Sequence, residues 1–358
     1  MKLRMVCIMA GLAALLAVGC DSAKDSAKES VIIAKEVEYD VFISNYRFAS
    51  YSALDPGEIW DRENIEAPYR KEFIRMLFEK AASGAIKITD LQGNAVDSAG
   101  FPALISKSDT QRMTRPYPPY DEFDTVVNTS VEKRLIVALR FREEWTYDPH
   151  TMAISKKVLA YAPMATTVSF DDRYREVYSY PKPLFWVICD GEKNREEILT
   201  RRIIYSTAYT GDITPASNLD SLQANTYWKR FFELAYSDSI AAYTYAEGDM
   251  NNLQISGADL YAELNSSDTI RFSSGEPPVT KDTVVKNSPG VDFDFRFCEE
   301  WSFDPNTMAI YKKVNGLCPL VQEWTADTRE FRGYRPLFWV YWGDVWVPYQ
   351  GKLKLKKL

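Results

Sequence analysis

The sequence predicts an α+β protein made of two tandem similar repeats, each an N-terminal helix followed by an antiparallel sheet based on a β-hairpin. Residues 140–163 align without a gap to residues 296–319 at 15 identical positions of 24, a likeness that marks a duplicated unit. Upstream, Ile74, Leu77, Phe78 and Ala81 recur as Trp228, Phe231, Phe232 and Ala235, and both sets follow the i, i+3, i+4, i+7 spacing of one helix face. Downstream, Pro183-Leu184-Phe185-Trp186-Val187 recurs as Pro336-Leu337-Phe338-Trp339-Val340. The order helix, hairpin, buried strand thus occurs twice. A length of 358 residues agrees, at roughly 150 residues per domain.

The N-terminus reads as a processing segment. Met1 to Gly19 holds a short basic stretch and then an apolar run from Met5 to Val18, too short for the roughly 20 residues that a stable membrane helix needs and suited to a signal peptide. Small residues before Cys20 fit a lipobox, which makes Cys20 the expected lipid-attachment site and leaves the outer membrane as the expected anchor. Residues 20–35 begin with Asp21-Ser22-Ala23-Lys24 repeated as Asp25-Ser26-Ala27-Lys28. Such a polar stretch has nothing to bury and is expected to act as a flexible tether, spanning about 20 Å as a coil. The first repeat is then expected over 36–209 and the second over 210–358, with the boundary among Gly211, Pro215, Ser217 and Asn218.

The hairpin is the most informative local feature. Side chains alternate along a strand, so Leu135, Val137, Leu139, Phe141, Glu143, Trp145 and Tyr147 are expected to share one face. That face is apolar except for Glu143. Asp148-Pro149-His150-Thr151 supplies turn chemistry, and the returning strand puts Met152, Ile154, Lys156 and Val158 on the same face. With a two- or four-residue loop, Glu143 faces Lys156, and in the second copy Glu299 faces Lys312. These are read as structural cross-strand ion pairs that fix register. In this register Cys318 lies roughly 16 Å from Cys298, so no bridge is expected and the thiols are expected to be buried. The Pro-Leu-Phe-Trp-Val runs are continuously apolar, as in strands covered on both faces.

Composition narrows the chemistry. The formal charge of −7 becomes −9 once Lys2 and Arg4 are removed, so a phosphate backbone is repelled and no nucleic-acid partner is expected. The single histidine, His150, sits in a turn and is Asn306 in the second copy. No paired Cys or His spacing suits a metal, and no glycine-rich phosphate loop appears. Glu143 and Glu144 point to opposite faces of a strand, as do Glu299 and Glu300, so neither pair flanks one bond. No catalytic residue, cofactor or metal is expected. Lys352 to Leu358 alternates as an edge strand protected by lysine.

At the hairpin, Glu143-Glu144-Trp145-Thr146-Tyr147-Asp148 and the following Pro183-Leu184-Phe185-Trp186 resemble the core of the GldN/PorN family of gliding-motility and type IX secretion proteins. Glu299-Glu300-Trp301-Ser302-Phe303-Asp304 and Gly333-Tyr334-Arg335-Pro336-Leu337-Phe338-Trp339 resemble it again. The resemblance implies a non-enzymatic envelope scaffold that assembles with other envelope proteins into a secretion or motility ring beneath the outer membrane. It also implies one core per chain, with the lipid on a partner, whereas this sequence carries two cores and its own lipobox. A surface lipoprotein that captures a peptide or glycan is the competing reading, permitted by the many aromatics.

Overall fold

The computed structural model describes residues 30–44, 65–170, 176–191, 193–207, 221–244, 253–265, 267–274, 279–286, 294–324, 331–342, 345–349 and 352–356. Cys20, the signal segment and most of the expected tether lie outside these residues, as does 208–220 in the expected boundary.

The first unit opens on β1 (Val31–Phe42), followed by α1 (Ala67–Ser83), β2 (Ile88–Thr89), β3 (Ala95–Val96) and the short α2 (Phe101–Ile105). A two-stranded ribbon comes next, β4 (Ser106–Thr114) with β5 (Glu122–Ser130). Then come β6 (Ile136–Tyr147), β7 (Ile154–Ala165), the small hairpin β8 (Val168–Phe170) and β9 (Glu176–Tyr178), β10 (Lys182–Pro183) and β11 (Trp186–Ile188). The second unit repeats this with β12 (Glu197–Ser206), α3 (Ser221–Tyr236), β13 (Ala242–Thr244), β14 (Gln254–Ile255), α4 (Gly257–Leu264) and the ribbon β15 (Ser267–Ser274) with β16 (Val279–Lys286). It continues through β17 (Asp294–Phe303), β18 (Ile310–Trp324), β19 (Phe331–Pro336) and β20 (Phe338–Tyr341), and closes on the ribbon β21 (Val345–Tyr349) with β22 (Lys352–Lys356).

The two main sheets have the same strand order. One runs β1-β6-β7-β11-β2-β3 with β10 also on β7, and the other β12-β17-β18-β20-β13-β14 with β19 also on β18. All the pairings are antiparallel, so the mixed α+β class and the duplication read from the sequence agree with the structure. Three expectations need correction. Each unit opens on a strand instead of a helix, because β1 and β12 pair with β6 and β17 and complete the sheets. Residues 31–35 belong to β1 and not to a tether, since Ile33 and Ala34 are buried. The second sheet takes in Glu197–Ser206, upstream of residue 210, so strand pairing moves the start of the second unit towards residue 197.

Helix α1 follows the expected spacing: Ile74, Leu77, Phe78 and Ala81 are all buried, as are Trp228, Phe231, Phe232 and Ala235 of α3. Gly84 ends α1 in the left-handed region at φ 71°, where a side chain is strained, and its N–H donates to the carbonyl of Ala81. Phe78 packs edge-on against Phe185, and Phe232 likewise against Phe338. The phenylalanine of each Pro-Leu-Phe-Trp run thus lies under its own helix. The tryptophan packs on the other side of the sheet, Trp186 with Ala160 and Ala162, Trp339 with Cys298 and Cys318.

Each helix also reaches the other unit. Phe73 of α1 meets Phe303 at 5.2 Å, and Tyr227 of α3 meets Tyr147 at 5.1 Å. The sheets face each other through β7 and β18, and one apolar cluster spans both units.

At the junction of α3 and α4, Gly257 lies so close to the end of α3 that an added Cβ falls 2.3 Å from the carbonyl oxygen of Tyr236. Backbone cannot yield cheaply, so Gly257→Ala is expected to lower stability by about 1–3 kcal/mol in urea unfolding.

Candidate functional site: a buried charge cluster between the units

Alternation along β6 places Leu139, Phe141, Glu143, Trp145 and Tyr147 inward, as the sequence indicates, and all are buried. The pattern does not extend further back, because Leu135 sits half-buried in a helical turn ahead of the strand and the ladder is irregular at Val137, where Ile136 joins the core instead. The turn is longer than expected. Asp148 donates its N–H to the Ala153 carbonyl and its side chain accepts from the His150 N–H, so six residues, 148–153, close the hairpin. Met152 takes a left-handed φ of 59°, and Met308 does the same at 58° in the second copy. Tyr227 donates to the Met152 carbonyl and Tyr161 to that of Met308, each across the unit boundary at 2.9 Å.

The longer turn slides the register by two residues. Tyr147 now faces Ile154, Trp145 faces Lys156 and Glu143 faces Val158, with a bulge between Arg142 and Glu143. An even slip keeps each side chain on its face and changes its neighbour. In the second unit Trp301 faces Lys312 and Glu299 faces Val314. The expected pairs Glu143–Lys156 and Glu299–Lys312 are therefore replaced. Lys312 Nζ lies 2.7 Å from Glu143 Oε1, and Lys156 Nζ lies 2.8 Å from Glu299 Oε1. Both bridges cross between the units, because inward side chains stand perpendicular to their sheet and reach across the gap towards the facing one.

The slip, together with a further one-residue bulge between Cys298 and Glu299, corrects the cysteine distance. Cys298 faces Gly316 and Cys318 faces Arg296, which makes the thiols diagonal neighbours at roughly 7–8 Å instead of 16 Å. Both are buried. Burial pushes the Cys298 thiol up to about 11, and that of Cys189 up to about 12.

All four charged side chains are fully enclosed. Two tyrosines complete the cluster. Tyr39 donates to Glu143 Oε2 at 2.7 Å and Tyr205 to Glu299 Oε2 at 2.9 Å, while their hydroxyl oxygens lie 3.0 Å apart. Lys312 donates to Tyr39 at 3.0 Å and Lys156 to Tyr205 at 2.9 Å. The indole N–H of Trp145 donates to Glu143 Oε2 at 2.8 Å, and that of Trp301 to Glu299 Oε2 at 2.7 Å. Each ammonium also sits 3.1 Å from the ring centre of a phenylalanine in the other unit, Lys156 over Phe297 and Lys312 over Phe141. Two positive and two negative charges are thus balanced and ringed by donors, the condition under which buried ions are tolerated.

Burial pushes the Lys156 ammonium down to about 8 and lowers that of Lys312, against the pull of the carboxylates. Burial works to raise the Glu143 carboxyl, but Lys312 and Lys156 outweigh it and hold the group below its ordinary 4.5. Burial, then the nearby carboxylates, raises Tyr39 and Tyr205 well above 10.0. Between the folded value of Glu143 and 4.5 the unfolded chain holds more protons, so stability rises with pH there and is lost as the pH falls through that window. Urea unfolding at pH 7, 5, 4 and 3 is expected to show this loss, with a flatter acid limb in Glu143→Gln.

Sequence reasoning missed Tyr39 and Tyr205 because it missed their strands. The signal was present in Glu36-Val37-Glu38-Tyr39-Asp40-Val41, whose alternation puts Val37, Tyr39 and Val41 inside. Outside, Asp40 and Glu38 pair with Arg140 and Arg142. The repeat of Asp124-Thr125-Val126-Val127 as Asp282-Thr283-Val284-Val285 also marks the second strand of each ribbon. His150 is an exposed turn residue.

Among the described residues, no group of three or more His, Cys, Asp or Glu is arranged to hold a metal, and no helix is long and apolar enough to cross a membrane. The charge cluster is closed to solvent. A search of curated proteins finds no match. A family model described as "Gliding motility associated protein GldN" matches residues 58–211 and 221–347, one segment in each half of the chain. The chain therefore belongs to the GldN family.

Proposed function

We propose that this protein is a non-enzymatic, lipid-anchored scaffold of the gliding-motility and type IX secretion apparatus, held at the periplasmic face of the outer membrane through Cys20. Family membership supports the apparatus, and the lipobox supports the anchor. The observation that carries the scaffold role is the ribbon β4–β5. It stands apart from both main sheets, with its base at α2, yet exposes Met113, Tyr117, Tyr120, Phe123 and Val126. Large apolar side chains gathered on one projecting element mark a protein contact. A ribbon stands at the same place in the second unit, so the duplication kept this element.

The triple variant Tyr117→Ser, Tyr120→Ser, Phe123→Ser tests this. These side chains are exposed, so the melting temperature is expected to hold while recovery of motility or secretion components from envelope fractions falls at least tenfold. Undiminished recovery, or recovery of no such component by the unaltered protein, overturns the scaffold role. Cys20→Ala is expected to release the protein from the membrane fraction, and retention there overturns the anchor.

A further inference from the structure

We propose that the four buried charges are a recognition code: the inner face of either unit accepts a unit with Glu and Lys at the matching positions, so a second copy of this chain can supply that unit by reciprocal exchange. The contacts between the units come in pairs with the roles interchanged. Glu143 meets Lys312 as Glu299 meets Lys156, Phe141 meets Trp301 as Phe297 meets Trp145, and Phe73 meets Phe303 as Tyr227 meets Tyr147. Tyr39 and Tyr205 meet each other. This is the pattern of an isologous interface, in which one surface is complementary to itself. A partner lacking the pattern leaves an ammonium and a carboxylate buried and unpaired, which supplies the penalty that specificity needs.

The chain passes from the first sheet to the second between Ile188 and Glu197. Asp190 is tied to Lys87 of the first unit, and the N–H groups of Asn194 and Arg195 are tied to Asp304 of the second. Each tie stays within one unit, so exchange between two chains requires a new path only between Asp190 and Asn194.

Two full-length variants with different tags test the proposal. The first carries Glu143→Leu with Lys156→Met, and the second Glu299→Leu with Lys312→Met. Alone, each faces an apolar unit with a charged one, and is expected to lose about 10 °C or more in melting temperature. Co-expressed, they can match apolar with apolar and charged with charged by exchange. Tandem purification is expected to recover a mixed dimer that melts within a few degrees of the unaltered protein. The chain with all four substitutions is expected to melt at or above the unaltered protein. Failure to recover the mixed dimer overturns exchange, and unaltered melting of either variant alone overturns the code. If the fourfold chain does not fold, Glu143→Leu with Lys312→Met is compared with Glu143→Leu with Lys156→Met. Higher melting of the first pair supports the code, and equal melting overturns it.

Discussion

Lys312→Met is expected to destabilise the protein by about 3–5 kcal/mol, read as a fall in the urea midpoint, because it leaves the Glu143 carboxylate enclosed without its counter-charge. The partner of Lys312 is the carboxylate of the other unit, and the compensating change follows from that. Adding Glu143→Leu removes the stranded charge and is expected to restore most of the loss. Adding Glu299→Leu instead strands Lys156 as well and is expected to deepen it. Were Glu299→Leu the rescuing change, the bridges would lie within the units and the exchanged pairing would be wrong.

Trp301→Ala is expected to cost a similar amount, about 3–5 kcal/mol. Its ring is fully buried, meets Phe141 of the first unit edge-on at 5.0 Å, and donates its indole N–H to Glu299. Trp301→Phe separates these contributions. It keeps an aromatic ring against Phe141 and loses the donor to a buried carboxylate, for an expected cost of about 1–3 kcal/mol. Equal costs for the two substitutions would mean that the hydrogen bond, and not the packing, dominates at this position.

Much of the architecture could be read from local pattern. Helical spacing marked the buried faces of both helices, because an amphipathic helix declares its face within two turns. Alternation marked the inner face of the hairpin, because side-chain direction in a strand depends on parity alone. Parity is also where that reading stopped. A slip of two residues leaves every face unchanged, so the pattern of Glu143, Trp145 and Lys156 is equally compatible with either register, and only the closed turn at Asp148 to Ala153 decides between them. The exchange of ionic partners was out of reach for a different reason. It depends on the packing of two sheets whose bridged residues lie 143 and 169 positions apart, for which one strand carries no local mark. The edge strands β1 and β12 were legible and overlooked: short alternating stretches beside polar sequence resemble linkers until their partners are known.

The exchanged bridges bind the two halves in their history as well as in their fold. After a duplication each half is normally free to drift, and positions such as His150 and Asn306 have done so. Glu143, Lys156, Glu299 and Lys312 lack that freedom, since a change at any one is penalised until the opposite half answers it. Variants of this chain in other genomes should accordingly alter these sites in matched couples, Glu143 with Lys312 and Lys156 with Glu299.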